Sequence, residues 1–259
     1  MIRCIALALT VIALSGAHAA PYVSVRAGEF RSALPPDGKS ANATTGAFEI
    51  RALPVTNAEF LAFVRKNPDW RRGRLPALFA DANYLRHWEA PDKLGAQIRP
   101  DQPVTHVSWF AADAYCRSEH ARLPNWYEWE RVAAADELRA DARNDTQWRD
   151  RLLRWYSRPS TGTLSPVART PRNFYGVYDL HGLVWEWVDD FGSIMVSTDS
   201  REQGDPDVQK YCGAGALSVQ DRENYAVLMR LAMLSSLQAA YTTGNLGFRC
   251  VRPVSEPRK

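Results

Sequence analysis

The sequence predicts a mixed α+β domain, rich in loops and poor in regular secondary structure. Three observations carry this reading. Three short segments begin with helix-capping residues and continue as apolar stripes. Val184 to Val188 alternates about Trp185 and Trp187 like a strand with two different faces, and turn residues crowd the second half.

At the start, Arg3, the apolar stretch Ile5 to Leu14 and the triplet Ala17-His18-Ala19 have the tripartite layout of a secretory signal peptide. Residues 1–19 are expected to be removed, leaving 20–259 as a single exported domain, periplasmic or secreted. The apolar run is about ten residues, against the roughly 20 needed to span a bilayer, so no membrane association is expected after cleavage. Cys4 precedes the apolar run and is not placed to carry a lipid. The net charge of the 259-residue chain is +3, with basic residues scattered among nearly as many acids, a balance that argues against nucleic acid as a partner.

Leu34 to Thr45 and the tail after Val251 read as linker-like. Thr56 and Glu59 form a capping box ahead of Phe60, Leu61, Phe63 and Val64. Ser108 caps a segment carrying Trp109, Ala112 and Cys116, and Asn125 with Glu128 opens a third helix through Trp126, Trp129 and Val132. The charged stretch Leu138 to Trp155 reads as a peripheral helix. Glu223 to Leu237 is ambiguous, since Tyr225, Leu228, Met229 and Ala232 fit a helical stripe. After signal removal three cysteines remain, Cys116, Cys212 and Cys250; export permits one disulfide, and arithmetic allows all three pairings.

Four blocks in order carry a family resemblance. They are Pro54-Val55-Thr56-Asn57-Ala58-Glu59-Phe60; Pro103 to Trp109 with Ala114-Tyr115-Cys116, Arg122-Leu123-Pro124 and Glu128-Trp129-Glu130; Asn173 to Gly182 running into Val184-Trp185-Glu186-Trp187; and Asn245-Leu246-Gly247-Phe248-Arg249-Cys250. Together they resemble the formylglycine-generating-enzyme, or sulfatase-modifying-factor, family. The resemblance implies a loop-rich, C-type-lectin-like fold, a disulfide between Cys116 and Cys250, and an extended segment at Glu223 to Leu237 beside the active cleft. Tyr211 to Ala216, Asp221 to Tyr225 and Met229-Arg230 further resemble a branch that includes the pyoverdine maturation protein and nitrite-reductase-associated proteins, which implies oxidation of a peptide-borne aromatic group.

Two departures matter. In active members a cysteine pair binds copper, because soft thiolates suit Cu(I). The matching positions here are Ala226 and Leu231, so the two-cysteine copper site is expected to be absent. The family's calcium turn supplies an asparagine and a glutamate; here Leu183 replaces the first and Glu186 remains, so that site is expected to be degraded. Any further cofactor is left unassigned by the sequence, and an iron site could arise only by assembly in space. Of the four histidines after the signal, His87, His106, His120 and His181, no two stand at a spacing that places a ligand pair on one helix face.

The candidate catalytic residues are therefore Cys212, Arg230, Tyr225, Asp221, Arg222, Glu223 and His181. Arg230 either clamps an anionic group through its planar fork or sits in a buried ion pair. Cys212, flanked by Gly213 and Gly215, is either a reactive thiol or an inert buried one. His181 is the leading single acid, base or ligand beside a structural alternative. The expected partner is a peptide or small aromatic substrate, with an oxidative maturation role, or else a secreted metalloenzyme that the domain assists through a surface of Trp126, Trp185 and Trp187.

Overall fold

The N-terminal strand β1 (Tyr22–Val25) pairs antiparallel with β4 (Phe48–Arg51), which pairs on its other side with the last strand, β7 (Val251–Pro253). Ile50 stands opposite both Val23 and Val251, so the two ends of the chain are stitched into one small sheet. The computed structural model describes residues 20–34, 42–157, 162–192 and 225–254. Between β1 and β4 runs a hairpin, β2 (Gly28–Arg31) and β3 (Asn42–Thr45). β3 lies inside the stretch expected to be a linker, and β7 opens the expected tail. Both are corrections with one cause: strands of three or four residues gain their pairing from distant segments and show little periodicity of their own.

Helix α1 (Asn57–Lys66) begins as expected. The Thr56 hydroxyl accepts from the Glu59 amide at 3.3 Å, and the Glu59 carboxylate accepts from the Thr56 amide at 2.8 Å. Its buried face is Phe60, Phe63 and Val64. Ser108 caps α2 (Trp109–Ser118), which buries Ala111, Ala112, Tyr115 and Cys116. The reciprocal box of Asn125 and Glu128 starts α3 (Trp126–Ala133), whose inner face is Trp126, Trp129, Val132 and Ala133. These faces meet Phe48, Ile50, Trp187, Phe248 and Val251 in the main core. The Cys116–Cys250 disulfide joins α2 to the residue before β7 across a sequence separation of 134.

Helix α4 (Thr146–Tyr156) is shorter than the charged stretch suggested. The Asp136 carboxylate accepts from the amides of Leu138 and Arg139 and folds that region into a turn, and Asp145 caps the helix later. Trp148 and Leu152 of α4 form a satellite cluster with Ala142. The strand about Trp185 contracts to β5 (Trp185–Glu186), which pairs parallel with β6 (Leu246–Gly247). The segment from Tyr225 is helical, α5 (Tyr225–Ser235), not extended as the resemblance implied; it buries Arg230, Leu231 and Leu234, while Met229 and Ala232 of the expected apolar stripe are exposed, so the inward face is not the one that stripe marks.

Candidate functional site

A cavity of about 360 Å³ opens where α4 ends, α5 passes and β5 meets β6. Trp155 and Tyr156 come from the last turn of α4, Gly182 to Trp185 from the approach to β5, Arg230 from α5, and Gly244 and Asn245 from the approach to β6, with Gly162 to Ser165 closing the rim. The Tyr156 and Trp185 rings stack with centroids 5.2 Å apart. Gly182 has φ of 85° and lies so close to Trp155 that a Cβ there would stand 2.8 Å from the indole. Only glycine combines that backbone with that approach.

Arg230 forms the inner wall. The residue is 1 % exposed, its guanidinium carbon sits 3.6 Å from the Trp129 ring centroid, and one Nη donates to the backbone carbonyl of Glu186. Its Nε is buried and has no partner among the described residues. Burial pushes this guanidinium down to about 10, against the pull of Glu186.

The Glu186 carboxylate is already committed. Arg249 Nε reaches both of its oxygens at 3.0 and 2.9 Å, Arg249 Nη2 donates at 2.7 Å, and Trp129 Nε1 donates to Oε2 at 2.9 Å. Arg249 also donates to the carbonyls of Arg51, Ala52 and Tyr178. Among the described residues the carboxylate is thus paired with Arg249, while Arg230 reaches only the Glu186 backbone carbonyl, so the surplus positive charge lies with Arg230 on the cavity side. At the positions the resemblance assigns to metals, Leu183 offers no side-chain oxygen for calcium and both Glu186 carboxylate oxygens already accept hydrogen bonds, while Leu231 is a buried apolar side chain.

His181 is almost fully buried under the cavity. Its Nε2 lies 2.8 Å from the Ala133 carbonyl, so Nε2 carries the proton; Nδ1 then accepts from the Tyr156 hydroxyl at 3.0 Å. Trp129, Trp148 and Trp155 surround the ring. Burial pushes its pKa down to about 4, so it is neutral at physiological pH and both nitrogens are occupied. His181 therefore positions the Tyr156 ring in the cavity wall.

The structure thus brings Arg230 and His181 together through their shared contact with Trp129. Cys212, Asp221, Arg222 and Glu223 lie outside the described residues, and Tyr225 opens α5. Sequence reasoning missed Trp155, Tyr156 and Asn245 as wall residues, because no local spacing links α4 to the turns around 182 and 244. The proposed surface of Trp126, Trp185 and Trp187 is corrected. Trp126 and Trp187 are buried, the latter donating from Nε1 to the Val107 carbonyl, and Trp185 is half-buried in the cavity wall.

Residues 13–254 match the sulfatase-modifying factor enzyme 1-like domain, and the chain belongs to that family. It is 32% identical to the formylglycine-generating enzyme of Streptomyces coelicolor, over 85% of this chain and 83% of the relative. It is 32% identical to the hercynine oxygenase of Mycolicibacterium thermoresistibile over 54% of this chain and 35% of that enzyme. Among solved structures, PvdO from Pseudomonas aeruginosa aligns with a TM-score of 0.48 at 19% identity, covering 90% of this chain and 94% of that one. The loop-rich α+β fold is that of the family.

Proposed function

We propose that this is an exported protein that catalyses or assists the oxidative maturation of a peptide or aromatic substrate, without the two-cysteine copper site of formylglycine-generating enzymes and without calcium at the Gly182 to Trp187 turn. Membership of a family that includes an oxygenase supports the oxidative class, and Ala226 and Leu231 at the positions matched to the copper-binding cysteines support a different route to it. The observation that carries the reading is Arg230, a buried guanidinium with an unpartnered Nε in a cavity walled by Trp155, Tyr156 and Trp185. Aromatic faces receive a ring by offset stacking, and the guanidinium receives a carboxylate or phenolate on it.

The test uses N-acetyltyrosine and its neutral amide as paired probes, followed by tryptophan fluorescence. A charge-assisted hydrogen bond contributes about 1.5–3 kcal/mol, so the acid binds at least about tenfold tighter than the amide. Arg230→Met abolishes that preference while leaving weak ring binding. Equal binding of acid and amide, or a preference that survives Arg230→Met, overturns the reading.

A further inference from the structure

A second cavity, of about 580 Å³, lies on the other side of a wall shared with the first: Gly162, Thr163, Leu164, Gly244 and Asn245 line both. His87 and His106 stand together in it, with ring centroids 4.9 Å apart and planes inclined by 36°. The Nδ1 atoms of both are buried and neither has a hydrogen-bond partner among the described residues. A buried polar atom left unsatisfied costs about 1–3 kcal/mol, and each of these adjacent rings carries one.

The backbone holds this pair deliberately. His106 has φ of 54°, a left-handed conformation that is uncommon outside glycine, and is pinned by its amide donating to the Thr243 carbonyl and its own carbonyl accepting from the Leu85 amide. A Cβ at position 244 would come 3.1 Å from His106 Nε2, so Gly244 makes room for the ring.

We propose that His87 and His106 form a two-histidine site for a first-row transition metal, copper in preference to zinc, opening into the second cavity. The ring separation fits. A metal about 2.0 Å from each nitrogen lies about 3.2 Å from each ring centre, so bent coordination near the tetrahedral angle places the centres about 5 Å apart. Imidazole suits copper and zinc, and copper leads the affinity order. Burial first, with Arg72 also acting on His87 and Arg86 on His106, keeps both rings deprotonated at neutral pH, as metal ligation requires. The same arginines oppose a doubly charged ion while Asp81 favours one, and Arg72 directs its guanidinium at the carbonyls of Leu85, Arg86, Trp88 and Glu89. Among the described residues no group of three or more His, Cys, Asp or Glu forms a metal cluster. The remaining coordination positions therefore belong to water or to a ligand in the cavity. This site rests on His87 and His106 alone and stands or falls separately from the role of Arg230.

The test is titration of the tag-free protein, its thiol alkylated beforehand, with Cu(II), read by calorimetry and by electron paramagnetic resonance. One equivalent binds, with the hyperfine pattern of two imidazole nitrogens. His87→Gln and His106→Asn each weaken binding at least tenfold; asparagine is chosen because it tolerates the left-handed backbone. Absence of saturable binding, a spectrum lacking two imidazoles, or unchanged affinity in the double variant overturns the site. The wild-type spectrum decides the matter even if a variant fails to fold.

Discussion

Replacing Arg249 and Arg230 in turn by methionine separates a guanidinium that holds the fold from one held ready for a ligand. Burial lowers the Arg230 guanidinium to about 10, against an ordinary value of 12.5. At 1.36 kcal/mol per pH unit, carrying that charge costs the folded state about 3 kcal/mol. Because the folded value lies below the unfolded one, the cost is fully present below pH 10 and fades only as pH rises through the interval between the two. Arg230→Met removes this cost but gives up a hydrogen bond to the Glu186 carbonyl, about 1 kcal/mol, and the stack on Trp129, about 1–2 kcal/mol. The net change is within about 1 kcal/mol of zero. Arg249→Met instead leaves Glu186 buried without its ion partner and strips donors from the carbonyls of Arg51, Ala52 and Tyr178, a loss of about 3–5 kcal/mol. Urea denaturation reads the difference. With a slope of about 2–3 kcal/mol per molar, the two midpoints separate by roughly 1 M or more. Equal midpoints, or an Arg230 variant less stable than the Arg249 variant, would refute the assignment of surplus charge to the cavity.

The Cys116–Cys250 bridge spans 134 residues, so the Cys116→Ala/Cys250→Ala protein loses about 5 kcal/mol by the chain-entropy relation, read as a lowered denaturation midpoint. His181, held down to about 4 by burial, binds its proton more readily in the unfolded chain; stability therefore falls by about 3 kcal/mol as pH drops from 6.5 to 4, and His181→Phe removes that part of the slope in pH-dependent melts. Gly182→Ala forces a strained backbone and drives a Cβ into Trp155; it lowers stability by about 1–3 kcal/mol and weakens binding of N-acetyltyrosine, measured by fluorescence titration.

These sensitivities explain what could be read from the sequence. Helices α1 and α3 were legible because their start signals are local: Thr56 and Glu59, or Asn125 and Glu128, satisfy each other across three residues whatever surrounds them. The hairpin β2–β3 was not, since Glu29 opposite Thr44 is a pairing that neither residue announces alone. The segment from Tyr225 to Ser235 is helical, as its apolar stripe allowed, and not extended, as the resemblance implied; but Arg230, Leu231 and Leu234 turn inward while Met229 and Ala232 of that stripe stay exposed, because the surrounding core decides which face is buried. Arg230 was legible as a candidate, and the structure bears on only one of the two readings given for it, the buried one. It is buried beside an ion pair, but Arg249 already neutralises that carboxylate from 63 positions away. His87 and His106 carry no helical spacing and meet only because the Leu85 amide reaches the His106 carbonyl. Chemistry built on such long-range pairings has no local signature, and the charge surplus of one site and the orphaned nitrogens of the other emerge only when each partner's commitments are counted atom by atom. It is by that count that Arg230 and the histidine pair differ from His181, whose two nitrogens are both taken and which is thereby a structural residue.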